Sequence, residues 1–272
     1  YILFNLEGSP NFKNEYNKPN QMLKFQINDL RKLFKKYDSK KFIISLANNH
    51  ILDNGDNNFN ELIKFLNEYN IKYIGTKDQP YIEIDDFVFY SFVSWETGIN
   101  KKSYKYLNSI KFSHKKIFDF IESKKNKNII LYPHWGMDLY QNITKNHLNF
   151  INKIISKENV FLYGHHPHLI IKENAKDNFI FSLGNTYISY PYYYRRFGLP
   201  VRYSKAIFID KNKKIKIFTL FFGCLETEIS TKYNQKDFIL NSKHRKIPRP
   251  RNNIFYNYLL KIILNFLDVL TS

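Results

Sequence analysis

The chain has 272 residues, 43% of them hydrophobic and 18% aromatic, which is enough for a domain with a sizeable core and too apolar for a disordered segment. Its net charge of +18 suits an anionic partner (nucleic acid, acidic lipid or acidic polymer), although the same excess follows from a composition rich in Lys, Asn, Ile and Tyr. The single cysteine, Cys224, excludes an internal disulfide and a cysteine-based zinc site, so a transition metal would have to sit on His, Asn, Asp or Glu.

The opening residues, 1–7, carry neither a basic leader nor a small-residue cleavage site, so they do not read as a signal peptide. No run reaches the roughly 20 apolar residues that span a bilayer, and the sequence leaves the location of the protein open. Leu23, Ile27, Leu30 and Phe34 recur at helical spacing, and 42–46 reads as a buried strand. Phe59, Leu62, Ile63 and Leu66 form the next helical stripe, followed by a strand over 71–74. The runs 81–84 and 87–92 flank Asp85 and Asp86 as a hairpin. A helix at about 113–124 precedes a strand over 129–132, and a helix at about 145–157 precedes a strand over 160–163. From 169 to 221 the pattern is mostly strand, including 179–183, 206–209 and 215–222. Alternating elements followed by β-rich text predict an α/β layered fold. The pattern divides the chain into a domain over 1–240, a basic, Pro-containing linker over 241–253 and an amphipathic helix over 254–272. That helix would lie on an anionic membrane, or dock on the domain's own core or on a partner subunit.

Open α/β sheets collect ligands at the carboxyl ends of their strands. Here the strand over 42–46 runs into Asn48-Asn49-His50, that over 129–132 into His134-Trp135-Gly136, and that over 160–163 into Gly164-His165-His166-Pro167-His168. The strand over 179–183 runs into Gly184-Asn185. Five of the eight histidines fall at these ends, which favours metal or phosphate chemistry over scattered structural histidines. In an extended loop alternate residues point the same way, so His166 and His168 can face one ion. Neutral imidazole with oxygen ligands suits Zn, Mn or Fe, as one ion or two, and Asn49 offers an amide oxygen. His50 would stay off the metal and donate a proton to a leaving oxygen. Paired ions would activate water and clamp a phosphate.

Asn5-Leu6-Glu7-Gly8, Ser45 through Gly55, His134-Trp135-Gly136, Gly164 through His168 and Ser182-Leu183-Gly184-Asn185 together resemble the CapA family in order and spacing, over roughly residues 1 to 225. These are capsule and poly-γ-glutamate synthesis proteins, distant relatives of calcineurin-like metallophosphoesterases. The resemblance implies a four-layer α/β/β/α sandwich with metal ligands on the loops between sheets and helices. It implies Glu7, Asn49, His134, His166 and His168 as metal ligands and His50 as the catalytic histidine. Asp53 would either orient His50 or cap the following helix. His165 could stand in for His166, because the doubled histidine leaves the register open. Asn5 belongs to the same Asn-Leu-Glu element, Asp138 would contact substrate or support a ligand, and Asn185 would close the pocket or form a strand-end turn. The family carries a Gly-Asp upstream of Asn-Leu-Glu, and none precedes Asn5 here. Either the sequence is a piece of a longer chain or the site is short of one carboxylate.

Two functions follow from the resemblance. One is a metal-dependent hydrolase or transferase of a phosphate or acyl centre, acting on an anionic surface polymer or its precursor. The other is a non-catalytic accessory protein that binds the polymer or a capsule-synthesis partner, with peripheral membrane contact through the last helix. The run Tyr190 to Arg196 would grip an anion through Arg195 and Arg196, or stack bases, but most aromatics lie in buried-looking strands, which disfavours nucleic acid.

Overall fold

The computed structural model describes residues 1–12, 24–36, 38–110, 114–171, 178–184, 203–209, 212, 214–222 and 227–230. They form two compact units, Tyr1–His166 and Pro167–Ser272. The predicted linker and terminal helix, with Asn185, Arg195 and Arg196, lie outside the described residues, as does Leu23.

The first unit is a mixed α/β structure. In chain order it contains β1 (Ile2–Asn5), β2 (Ser9–Asn11), β3 (Lys24–Gln26), α1 (Ile27–Lys36), β4 (Phe42–Ser45), α2 (Asp56–Glu68), β5 (Lys72–Ile74), β6 (Tyr81–Ile84), β7 (Phe87–Ser94), β8 (Ser109–Ile110), α3 (His114–Ser123), β9 (Asn128–His134), α4 (Lys145–Ile154) and β10 (Val160–Tyr163). One sheet has the order β1-β4-β5, all parallel. The other runs β10-β9-β7-β6, with β8 also beside β7. β6 and β7 form the predicted hairpin, and β7, β9 and β10 are parallel. The strand β9 is buried along its whole length, as expected of a parallel strand covered on both faces.

The helices bury the predicted stripes. Phe59, Leu62, Phe65 and Leu66 of α2 are buried, and Phe34 of α1 packs on both Phe65 and Phe42, with ring centroids 5.9 Å apart in each pair. On the other sheet Phe120 of α3 stacks on Tyr90 of β7 at 4.1 Å. Phe150 of α4 meets Phe118 of α3 and Trp135, the residue after β9. The strand period of two directs Phe42 and Ile44 to one face and Ile43 and Ser45 to the other. Ser45 Oγ lies 2.7 Å from Ser91 Oγ, a buried contact that joins the two sheets.

Two predictions need correction. The helical stripe begins at Ile27, because Lys24–Gln26 pairs in parallel with β2. The strand predicted over 179–183 is two short strands separated at Phe181. Irregular 3₁₀ turns at Trp95–Thr97 and Lys101–Lys105 left no periodic signal in the sequence.

The second unit, taken alone, contains β11 (Ile170–Ile171), β12 (Phe179–Ile180), β13 (Ser182–Leu183), β14 (Tyr203–Ile209), β15 (Ile215–Phe222) and β16 (Thr227–Ser230). β11 pairs with β13, and β14-β15-β16 form an antiparallel meander. No helix among the described residues is long and apolar enough to cross a membrane.

Candidate metal centre

Four chain segments meet at one end of the paired sheets of the first unit. β1 continues through a Leu6 N–H bond to the Ser45 carbonyl, which carries Glu7 forward beside the end of β4. Beyond β4, the Leu46 N–H bonds to the Ile74 carbonyl and the chain turns. Asn48, fully buried, holds this turn: its amide donates to the Leu6 carbonyl at 2.9 Å and to Asn5 Oδ1 at 3.3 Å. Its Oδ1 accepts the His50 N–H at 3.1 Å. On the second sheet, β9 and β10 stay in register past their ends. Trp135 N donates to the His165 carbonyl and His165 N to the Pro133 carbonyl, which sets His134 and His165 side by side.

The side chains converge from these anchors. Glu7, His134 and His166 present ligand atoms that all lie within 4.8 Å of one another. His134 and His166 are buried, with ring centroids 4.6 Å apart. The His134 Nε2 lies 2.9 Å from Asn49 Oδ1, and its Nδ1 lies 2.7 Å from His165 Nδ1. The Asn49 amide donates to the Thr97 carbonyl at 3.0 Å, which turns its oxygen toward His134. Asn5 Nδ2 donates to Glu7 Oε2 at 3.3 Å. Ligand atoms about 2.1 Å from a tetrahedral ion stand about 3.4 Å apart, so small side-chain rotations would close this group on a cation. Two imidazoles, a carboxylate and an amide oxygen are a donor set for a borderline or hard divalent ion. The Glu/His/His group could therefore hold a metal ion.

The sequence-predicted residues divide in three ways. The structure brings Glu7, Asn49, His134 and His166 together, with Asn5 and His165 in contact with them. His165 contacts His134 Nδ1, the position from which a partner orients a ligating imidazole, and His166 faces the group. His50 and Asp53 form a pair, Nδ1 to Oδ2 at 2.8 Å. The capping role weighed for Asp53 is not seen: α2 has Gly55 at its N-cap, without a side-chain cap bond. Asp138 is exposed and acts on His50 through its charge. His168 belongs to the second unit. The extended loop expected there is also incorrect, because His166 has φ 110° and His168 φ 59°, both in the left-handed region, so period-two alternation does not describe them.

Electrostatics separate the roles. Burial opposes charge on His50, yet the Asp53 hydrogen bond and the carboxylates of Glu7, Asp53 and Asp138 outweigh it and raise its pKa above 6.5. Burial raises the Tyr132 phenol strongly, against a hydrogen bond to the Asn5 backbone, so this ring beside His165 stays neutral.

Sequence reasoning missed Thr97, Glu96 and His147. Glu96 Oε1 accepts the Gly136 N–H at 2.7 Å and lies 2.7 Å from Nε2 of the buried His147. His147 Nδ1 in turn meets the Thr144 hydroxyl at 2.6 Å, at the start of α4. Thr97 and Glu96 follow the carboxyl end of β7, so the strand-end rule could have found them had the strand been read beyond 92. His147 was hidden by its place in a helical stripe.

No curated protein matches the chain. A family model described as bacterial capsule synthesis protein PGA_cap matches residues 3–190, well over half of the chain, and its span contains Glu7, Asn49, His50, His134 and His166. The chain belongs to the family of bacterial capsule synthesis proteins, PGA_cap.

Proposed function

We propose that the chain is a metal-dependent, phosphoesterase-like hydrolase or transferase that acts on an anionic surface polymer or its precursor in capsule synthesis. The observation that carries this reading is the group Glu7, His134 and His166, with Asn49 Oδ1 2.9 Å from His134. Four-layer α/β/β/α packing accompanies it, supported by α1 and α2 against one sheet, α3 and α4 against the other, and Ser45 on Ser91 between them. Glu7, Asn49, His134 and His166 would hold one or two ions of Mn, Zn or Fe. A bound divalent ion supplies Lewis-acid polarisation of a phosphoryl or acyl oxygen.

The protein's own groups do the rest. His165 holds His134 through Nδ1, and the Thr97 carbonyl holds the Asn49 amide. His50, its pKa raised by Asp53 and the neighbouring carboxylates, is biased toward its protonated form, and Asp53 fixes the ring that would deliver the proton to a leaving oxygen. Asp138 contributes to that proton's retention. The net charge of +18 would draw the polymer, an anionic membrane face and acidic partner proteins of capsule synthesis.

The test supplies Mn, Zn or Fe to purified protein and counts bound metal after desalting. Wild type should retain stoichiometric metal, His134→Ala with His166→Ala should lose it, and His50→Gln should keep it. With a phosphodiester such as bis-p-nitrophenyl phosphate, His50→Gln should lower kcat by about 10²–10⁴. A wild-type protein that retains no metal would sink this reading and leave the accessory one.

A further inference from the structure

The exposed apolar surface of the first unit is concentrated beside the metal centre. Among the described residues the exposed large hydrophobic side chains are Tyr1, Trp95, Met137 and Tyr140. All but Tyr1 sit on two segments, 94–97 and 136–140, that the Glu96 carboxylate ties together at Gly136. The first of these segments carries Thr97, which holds Asn49, and the second begins two residues after His134. Apolar residues scattered singly over a surface need no explanation, whereas a cluster at the mouth of a polar site marks where something binds.

Trp95 is held rigidly. Its indole lies parallel to the Tyr104 ring, with centroids 4.5 Å apart and 7° between the planes. With one face covered by Tyr104, its 41% exposure falls on the rest of the ring. A ring fixed in this way offers a flat apolar surface at little entropic cost on binding. Tyr104 belongs to the 3₁₀ turn Lys101–Lys105, in which Lys101, Lys102 and Lys105 are exposed. Lys64, Lys124 and Lys157 are each paired with a glutamate, while Lys101 and Lys102 form no ion pair with a described residue. Flat ring and free cations thus lie on neighbouring residues.

We propose that Trp95 and Tyr104, with Lys101 and Lys102, form a binding platform for an acidic glycan, stacking a sugar ring on the indole and pairing its carboxylate with the lysines. The proposal deepens the metal-centre reading and rests on it, in that the platform would present the polymer to that centre. The ligand chemistry follows from what each part requires. A pyranose has an apolar C–H face that fits an aromatic ring, and a uronic acid adds an anion beside that face. A poly-γ-glutamate chain has the anions without the ring, so it would engage the lysines and be indifferent to Trp95. Nucleic acid offers ring and anion together, and the chain's membership of a capsule synthesis family favours a capsule polymer over it.

Of the two tryptophans, Trp135 is fully buried, so a ligand that reaches an indole from solvent reaches Trp95. The full chain, kept metal-free with EDTA, is titrated with hexagalacturonate, with poly-γ-glutamate and with a thymidine hexanucleotide, following intrinsic fluorescence and heat. Hexagalacturonate should bind most tightly and perturb the fluorescence. Trp95→Ala should weaken it about three- to tenfold, Trp95→Phe should retain most of the affinity, and Lys101→Ala with Lys102→Ala should weaken it and flatten its salt dependence. Absence of hexagalacturonate binding would overturn the proposal. So would tighter binding of the hexanucleotide, or hexagalacturonate affinity unchanged in Trp95→Ala. Failure of the metal reading registers separately, as absence of retained metal in wild type, and leaves these titrations unaffected.

Discussion

Removing the Glu96 carboxylate tests whether the loop behind His134 is held from outside the metal centre. In the folded protein Glu96 Oε1 takes the Gly136 N–H and the Nε2 of His147, each at 2.7 Å. His147 has 1% of its side chain exposed and Glu96 has 29%, so the pair sits at the edge of the core. Glu96→Ala deprives the Gly136 N–H of its acceptor and His147 of an ionised partner. Both lost bonds are to the ionised carboxylate, and a bond to a charged group is worth about 1.5–3 kcal/mol. Water can reach part of the vacated position, which favours the low end of that range for each, so the total is about 3 kcal/mol. For a chain of this size that corresponds to a fall in Tm of about 5–10 °C. Glu96→Gln keeps an oxygen for Gly136 and should lose about half as much. Urea unfolding of Glu96→Ala, His147→Ala and the double variant gives the coupling between the two side chains, expected to exceed 1 kcal/mol. The pH dependence adds a sign. Burial raises the Glu96 pKa, but His147, the Gly136 N–H and Ser94 together lower it below 4.5. Its contribution is therefore full above the ordinary glutamate range and disappears as pH falls through the folded value, so the gap between wild type and Glu96→Gln should narrow in acid. A coupling under 0.5 kcal/mol, or a gap that widens in acid, would refute this account.

Three further outcomes follow from the same geometry. In metal-free protein Asp53→Asn should lower the His50 titration midpoint read by NMR, and should cost about 1 kcal/mol below pH 6.5, shrinking as pH rises through the raised wild-type value; an unmoved midpoint would show that Asp53 does not hold the proton. Gly75 has φ +90°, and an added Cβ would lie 2.6 Å from the Ala47 Cβ and 2.8 Å from the Ala47 N, so Gly75→Ala should cost about 3 kcal/mol and shift the Asn49 side-chain amide signals, since the displaced backbone leads straight into that residue. Ser91 Oγ donates to the Tyr132 carbonyl, which obliges Ser45 to donate to Ser91; Ser91→Ala should therefore cost about 2 kcal/mol by thermal unfolding, and adding Ser45→Ala should cost little more.

Much of this was readable from the residue pattern because strands and helices bury side chains with different periods. Phe42 to Ile44, Ile129 to Pro133 and Val160 to Tyr163 are apolar runs that lead into polar or histidine-bearing segments, and the sequence marks both the strand and the end where chemistry collects. Asn49, His134 and His166 followed from those ends, whereas Glu7 came only from the family resemblance, which the matched span supports. What stayed hidden depends on contacts with no period. Glu96 and Thr97 lie in a 3₁₀ turn, and their importance comes from a backbone N–H and an amide that are distant in sequence. The loop after His165 was read as extended, but two successive departures into positive φ at His166 and His168 reflect local steric and tertiary constraint that residue type does not encode for histidine. Asp53 satisfied two rules at once, capping and ion pairing, and only the position of Gly55 at the N-cap decides between them.

The donors come from both sheets, and this bears on how metal and stability are coupled. Glu7 and Asn49 hang from β1 and β4, while His134 and His166 hang from β9 and β10. Closing these groups on one cation would therefore clamp the two sheets together at the end opposite neither helix layer but at the strand termini, where the backbone ladders have stopped. Binding energy at such a place is spent on docking the sheets, and linkage makes it folding energy. At free metal about 100 times the dissociation constant the gain is about 2.7 kcal/mol, comparable to the whole effect expected for Glu96→Ala. Metal should consequently rescue the thermal stability of Glu96→Ala and Ser91→Ala, which weaken the support around the site, and leave His134→Ala with His166→Ala at its metal-free Tm. If added Mn, Zn or Fe raised that double variant's Tm as much as it raised wild type's, the cation would be acting elsewhere on the protein, and the assignment of Glu7, His134 and His166 as its ligands would be wrong.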